Sequence, residues 1–162
     1  VQVEEVVLNP NEPQYSMKGI NGKRFDQEGR LKENLSAVDA VQYPNSADVH
    51  LDKPHLSFYR DRSLVYEVGS DKAAYNIQNK KVVFEQNVVL NKAADAKRLA
   101  GIVKTERLNV DTEAQYAHTD SPVTFQYGQS GGQANGMTYD HKTGLLNFPS
   151  KVKATIYDTK NL

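Results

Sequence analysis

Cysteine is absent from this 162-residue chain, and so is tryptophan. The first absence excludes disulfides, a redox thiol, a thiolate zinc site and a cysteine nucleophile. It leaves the compartment open, because a secreted or periplasmic chain can also lack cysteine. Net charge is missing too: 20 Lys+Arg stand against 20 Asp+Glu. A nucleic-acid binder needs a strong basic footprint, so zero net charge argues against that class. The charge is also dispersed. Residues 1–80 hold 10 basic and 12 acidic side chains, and the remainder holds 10 and 8, which leaves no polybasic patch for a membrane surface. No run approaches the roughly 18 apolar residues of a membrane span; the longest near the start is Val6-Val7-Leu8. The chain opens on Val1 rather than Met, so a signal or anchor is expected to have been removed upstream.

What is present alternates with a period of two. Val123-Thr124-Phe125-Gln126-Tyr127 is the clearest case. Leu56-Ser57-Phe58, Leu64-Val65-Tyr66-Glu67-Val68, Leu146-Asn147-Phe148 and Val152-Lys153-Ala154-Thr155-Ile156 behave alike. Such segments are half-buried strands. Turn clusters punctuate them: Asn21-Gly22, Glu28-Gly29, Pro44-Asn45-Ser46, Asn79-Lys80-Lys81, Thr119-Asp120-Ser121-Pro122, Gly131-Gly132 and Lys142-Thr143-Gly144. Their short spacing predicts many short antiparallel strands. Lys92 to Ala100 is the one helix-like run and reads equally as a turn of helix or a loop.

A weak repeat emerges when the turns are aligned. Units centred on Glu85-Gln86-Asn87, Ser121-Pro122 and Pro149-Ser150-Lys151 place Val88, Val123 and Val152 in equivalent positions, 35 and 29 residues apart. A fainter unit runs from Val38 to Phe58 around Pro54. Stacked hairpin-like units form a quasi-one-dimensional array with two open ends. Open ends expose strand edges that bind another strand or aggregate.

Catalytic signals are poor. Gly128-Gln129-Ser130-Gly131-Gly132 fits the letters of a nucleophile elbow. That device needs a helix after the serine, and a strand pattern follows instead, so a hairpin loop is expected. The histidines at 50, 55, 118 and 141 form no metal-ligand spacing. No phosphate loop or dinucleotide fingerprint is present, and no cofactor is expected. Phe58, Phe84, Phe125 and Phe148 each sit in an alternating strand beside apolar neighbours. They read either as a sandwich core or as an elongated interior that also takes a lipid chain, and periodicity does not separate these.

Several segments together resemble the LptC family, the periplasmic component of the lipopolysaccharide export machine of Gram-negative bacteria. They are Asn11-Glu12-Pro13-Gln14-Tyr15, Phe25-Asp26-Gln27-Glu28-Gly29-Arg30-Leu31, Leu51-Asp52-Lys53-Pro54, Ser70-Asp71-Lys72-Ala73 leading to Lys81-Val82-Val83-Phe84-Glu85-Gln86-Asn87-Val88, Thr105-Glu106-Arg107-Leu108, and Val152-Lys153-Ala154-Thr155-Ile156-Tyr157. Asn87 stands where the family often has glycine. The resemblance implies an all-β fold, a twisted open β-jelly-roll of the OstA/LptA type. It implies a flexible segment over 1–8, one periplasmic domain over 9–158 and a tail over 159–162, tethered to the inner membrane by an N-terminal helix outside this chain. It implies no enzyme. The expected role is to receive lipopolysaccharide from an inner-membrane ABC transporter (LptB, LptF and LptG-like) and hand it to a periplasmic bridge protein (LptA-like) for outer-membrane assembly. The alternatives are the bridge protein itself, or a β-sandwich carbohydrate-binding module.

Carried over by position, the expected groove residues are Ile20, Leu51, Phe58, Phe84, Phe125, Leu146, Phe148 and Ile156. The N-terminal edge, through Tyr15, Phe25, Gly29 and Leu31, is expected to meet the transporter. The C-terminal edge, through Val152, Ala154 and Tyr157, is expected to meet the bridge protein. Ile20 lies in a loop-like stretch, and Gly29 is expected to mark a bulge or a close backbone approach.

Overall fold

A strand with one dry face must alternate, and the alternating segments fold accordingly. The computed structural model describes residues 12–13, 15–148 and 153–155. Over these residues the chain forms β1 (Tyr15–Phe25), β2 (Leu31–Gln42), β3 (Asp48–Asp52), β4 (His55–Arg60), β5 (Ser63–Gly69) and β6 (Lys72–Asn76). It continues with β7 (Lys81–Lys92), β8 (Gly101–Asp111), β9 (Tyr116–Tyr127), β10 (Ser130–Asp140), β11 (Leu145–Asn147) and β12 (Lys153–Thr155). No helix occurs among the described residues, and residues 93–100 are a loop. The Asp95 carboxylate shapes that loop by accepting the N–H groups of Lys97 and Arg98 at 2.7 Å, which is turn chemistry rather than helix chemistry. Buried Lys92 ties it down, donating to the carbonyls of Ala93 and Leu99 at 3.1 and 3.3 Å.

All pairings are antiparallel, and they form one continuous sheet that forks. β2 has β1 along one side; on the other, its first half pairs with β4 and its second half with β3. β7 repeats the device, pairing with β6 over its first half and β5 over its second. From β7 the sheet runs on through β8, β9 and β10, and β10 carries β12 near its start and β11 near its end.

One line crosses the sheet from β1 to β10 and creases it. It passes Gly19 (φ 63), the β3–β4 corner at Lys53 (φ 49), and Gln86-Asn87 (φ 66 and 55). The register then shifts within β8 and β9 between Thr105 and Asn109, and within β10 between Asn135 and Met137. Asp71 pins the middle of the line: its carboxylate accepts Lys53 Nζ and Asn87 Nδ2, each at 2.7 Å. Those two partners hold the Asp71 carboxyl below its usual range. Three clusters expected as turns therefore need correction. Asn21-Gly22 lies inside β1, Thr119-Asp120-Ser121-Pro122 inside β9, and Gly131-Gly132 inside β10. Asn87 and its neighbour Gln86 form a mid-strand bulge, a bend that keeps the chain in the sheet.

The crease turns one sheet into two facing walls. One contains β3 and β6, the other β4 and β5. Their facing rows are apolar: Ala40, Leu51, Ala73, Phe84 and Leu108 on the first, Leu56, Val68, Leu90 and Val103 on the second, all buried. The repeat is thus geometric. Val88 and Val123 both pair with Thr105, in one row across the second wall; Val152 lies outside the described residues.

Candidate functional site

The interior between the walls is where an apolar ligand would have to go. Its middle is closed. Leu51, Phe58 and Phe84 are 3%, 0% and 0% exposed. A two-residue hairpin, Asp61-Arg62, with both residues at positive φ (51 and 70), brings β4 and β5 together. That type of turn matches the twist of the strands, and it sets Phe58 opposite Tyr66, their rings stacked at 4.5 Å. Across the interior, Tyr139 meets Tyr66 edge-on at 5.0 Å, and His141 meets Phe58 and Tyr66 at 5.3 and 5.1 Å.

This aromatic centre carries polar atoms without partners. The hydroxyls of Tyr66 and Tyr139 and both ring nitrogens of His141 are buried and unpaired. Burial disfavours a charged form. It raises Tyr66 well above the ordinary tyrosine range, pushes Tyr139 up to about 12, and lowers His141 to about 4, helped by the nearby Arg60 cation. Arg60 makes no hydrogen bond to the imidazole; its guanidinium donates to the His141 carbonyl at 2.7 Å. Nearby, Arg24 of β1 donates to Glu33 of β2 at 2.7 Å. Burial raises the Glu33 carboxyl, and Arg24 opposes the shift.

The ends are looser. Ile20 lies in β1, not in a loop, and is half-buried against the core opposite Ala37. At the other end Phe125, Leu146 and Phe148 are half-buried. Leu146 sits on Gly101, where an added Cβ would come within 3.8 Å of it and 3.3 Å of the Tyr127 ring. Ile156 lies outside the described residues. The structure thus gathers seven of the expected groove residues along one interior, three sealed in its middle and four at its ends.

The edges are placed as follows. β1 pairs only with β2 among the described residues, so its outer edge is open there. Tyr15 and Phe25 are exposed, and Leu31 is half-buried opposite Phe25. Gly29 marks neither a bulge nor a close approach: an added Cβ would meet nothing within 4 Å. Its φ of 79 is the requirement, in the β1–β2 turn where its N–H donates to the Asp26 carbonyl. At the far end Ala154 pairs with Gly132 through β12, while Val152 and Tyr157 lie outside the described residues.

Other candidates resolve simply. Ser130 opens β10 directly after the β9–β10 turn, and the helix that an elbow requires is replaced by a strand. His50 packs edge-on against Tyr43, and His55 Nε2 lies 3.2 Å from Glu67. Among the described residues no three His, Cys, Asp or Glu side chains gather as metal ligands. No described helix is long and apolar enough to cross a membrane. Sequence reasoning missed the Tyr66–Tyr139–His141 centre, because a lone histidine after a strand carries no signal of burial.

The fold has a solved counterpart. The crystal structure of LptH, the LptA homologous periplasmic component of the lipopolysaccharide transport device from Pseudomonas aeruginosa, superposes with a TM-score of 0.61. The match covers 78% of this chain and 95% of that one at 5% identity, so it establishes the fold alone. No curated protein matches the chain. The family described as lipopolysaccharide-assembly, LptC-related, matches residues 1–158. This β-jelly-roll chain, creased into two apolar-faced walls, therefore belongs to the LptC family, whose role is in lipopolysaccharide transport.

Proposed function

We propose that this chain passes the acyl chains of lipopolysaccharide between its two walls. It takes them from an inner-membrane ABC transporter (LptB, LptF and LptG-like) at the β1 edge and yields them to an LptA-like bridge protein at the β11–β12 edge. The observation that carries this reading is the layout of the interior: facing apolar rows end at half-buried Ile20 on one side and at Phe125, Leu146 and Phe148 on the other, each beside a strand edge that is unpaired among the described residues.

An acyl chain in water costs about 0.8 kcal/mol per CH₂, and smooth hydrocarbon walls remove that cost without directional bonds to break. Entry at the loose ends needs no opening of the centre. Passage past Phe58 and Phe84 requires the walls to part, with wall-to-wall contacts exchanged for wall-to-lipid contacts of the same kind. Energy comes from the transporter, and the bridge protein adds its strand by β-augmentation. In this reading the domain works in the periplasm, held at the inner membrane by a segment before Val1.

The test is photo-crosslinking in cells. A crosslinker at Leu146 or Ile20 captures lipopolysaccharide, at Leu51 captures it more weakly, and at Glu85, which alternates with buried Phe84 onto the outer face, does not. Equal capture at Glu85 and Leu146 would refute the interior path.

A further inference from the structure

The outer face of β9 and β10 is not a plain solvated sheet surface. Two shallow concavities of about 890 and 570 Å³ lie on it, on either side of the crease, and Asn135 lines both. Gly136 makes the crossing possible. Its φ is 112, and a Cβ there would sit 2.9 Å from the Thr119 carbonyl oxygen, so another residue would push β10 away from β9 and flatten the step between the two hollows.

We propose that this trough binds a neutral, hydroxyl-rich oligosaccharide. Asp120, Thr124, Gln133, Asn135 and Thr138 line it, and none of the five makes a side-chain hydrogen bond or ion pair among the described residues. Elsewhere on the surface many polar side chains are engaged, as in Lys72–Asp52 and Arg107–Glu85. Amides and hydroxyls both donate and accept, which matches sugar hydroxyls that do the same. One end carries an aromatic platform: the Tyr116 ring, 37% exposed, lies 6.0 Å from that of His118 at an interplanar angle of 30°. An exposed ring beside polar groups suits the C–H face of a sugar ring.

Charge and topology narrow the class. Lys104 stands against Glu106 and Asp120, a balance that does not attract anions. The lining exposes polar side chains together with the apolar surfaces of Pro122 and Tyr116, the mixture that the hydroxyls and C–H faces of a sugar complement. Both edges of β9 are already paired, with β8 and β10, so an added strand has nowhere to bond. The trough is separate from the interior path and does not rest on it.

The experiment titrates the isotope-labelled chain with two lipid-free glycans: an uncharged polysaccharide fraction released from lipopolysaccharide by mild acid, and maltoheptaose. Expected are saturable amide shifts at Lys104, Asp120, Thr124, Asn135 and Thr138, and at least tenfold weaker binding for Asn135→Ala and for Tyr116→Ala. Binding of the polysaccharide alone assigns the trough to the cargo's own sugar; binding of both assigns it to glycans generally. No saturable shift with either glycan overturns the proposal, as do shifts mapping elsewhere or unchanged affinity in both well-folded variants. Neither glycan carries an acyl chain, so the outcome is independent of lipid capture at Leu146.

Discussion

The ring of Phe125 stacks on that of Phe148 at 4.0 Å and 19°. One residue comes from β9 and the other follows β11, so the pair joins the two walls at the loose end of the interior. Phe58 and Tyr66 stack at nearly the same distance within one wall, in the sealed centre.

Position should therefore separate the two rings energetically. Phe58→Ala opens a cavity that cannot collapse and should cost about 3–5 kcal/mol. Phe125→Ala removes a half-buried ring and should cost about 1–2 kcal/mol, since only the buried fraction of its area is lost. Urea unfolding of both variants measures this, and equal losses would contradict a loose end.

His141 predicts an acid weakness. Its folded value near 4 lies below the ordinary 6.5, so the unfolded chain binds its proton first. Stability is then full above about pH 6.5 and is lost as pH falls toward 4, by on the order of 3 kcal/mol. Glu33, raised by burial, works in the opposite direction and blunts the lower part of the loss. His141→Phe should flatten the slope between pH 6.5 and 4 in thermal melts; an unchanged slope places its origin elsewhere.

Deleting residues 145–162 removes β11, β12 and Phe148 while leaving β1 untouched. Pull-down of an LptA-like partner should be abolished while transporter binding persists, the latter serving as the check on folding. Retained bridge binding would refute the C-terminal edge.

Ser130→Ala should leave lipid transfer within twofold of the original in a reconstituted assay. A loss of tenfold or more would revive a chemical role for the G-x-S-x-G letters.

The strands were legible because their faces differ: Leu51, Leu108, Val110 and Phe125 stand inward between polar neighbours, and a period of two follows. The crease was legible only as a misplaced signal. Ser121-Pro122 and Gln86-Asn87 look like loops because bulges use turn residues, and nothing local distinguishes a bend within a sheet from an exit from it. The forks at β2 and β7 were hidden, since pairing over half a strand depends on distant partners. Of the interior, the apolar rows could be listed, but not which members are sealed. Leu51 and Leu146 are the same residue type, and only the opposite wall decides that the first is buried and the second is not.

The crease also bears on mechanics. Along the strands, bending meets an unbroken ladder and is stiff. About the crease, β1 and β7 to β10 cross at a left-handed residue, a bulge or a shift of register, β3 to β6 meet at corners, and β2 changes partner, so ladder bonds are already re-routed there. The structure is thus compliant about one axis only. Thermal motion is channelled into changing the angle between the walls rather than into fraying them, and the width of the interior becomes the softest coordinate of the fold.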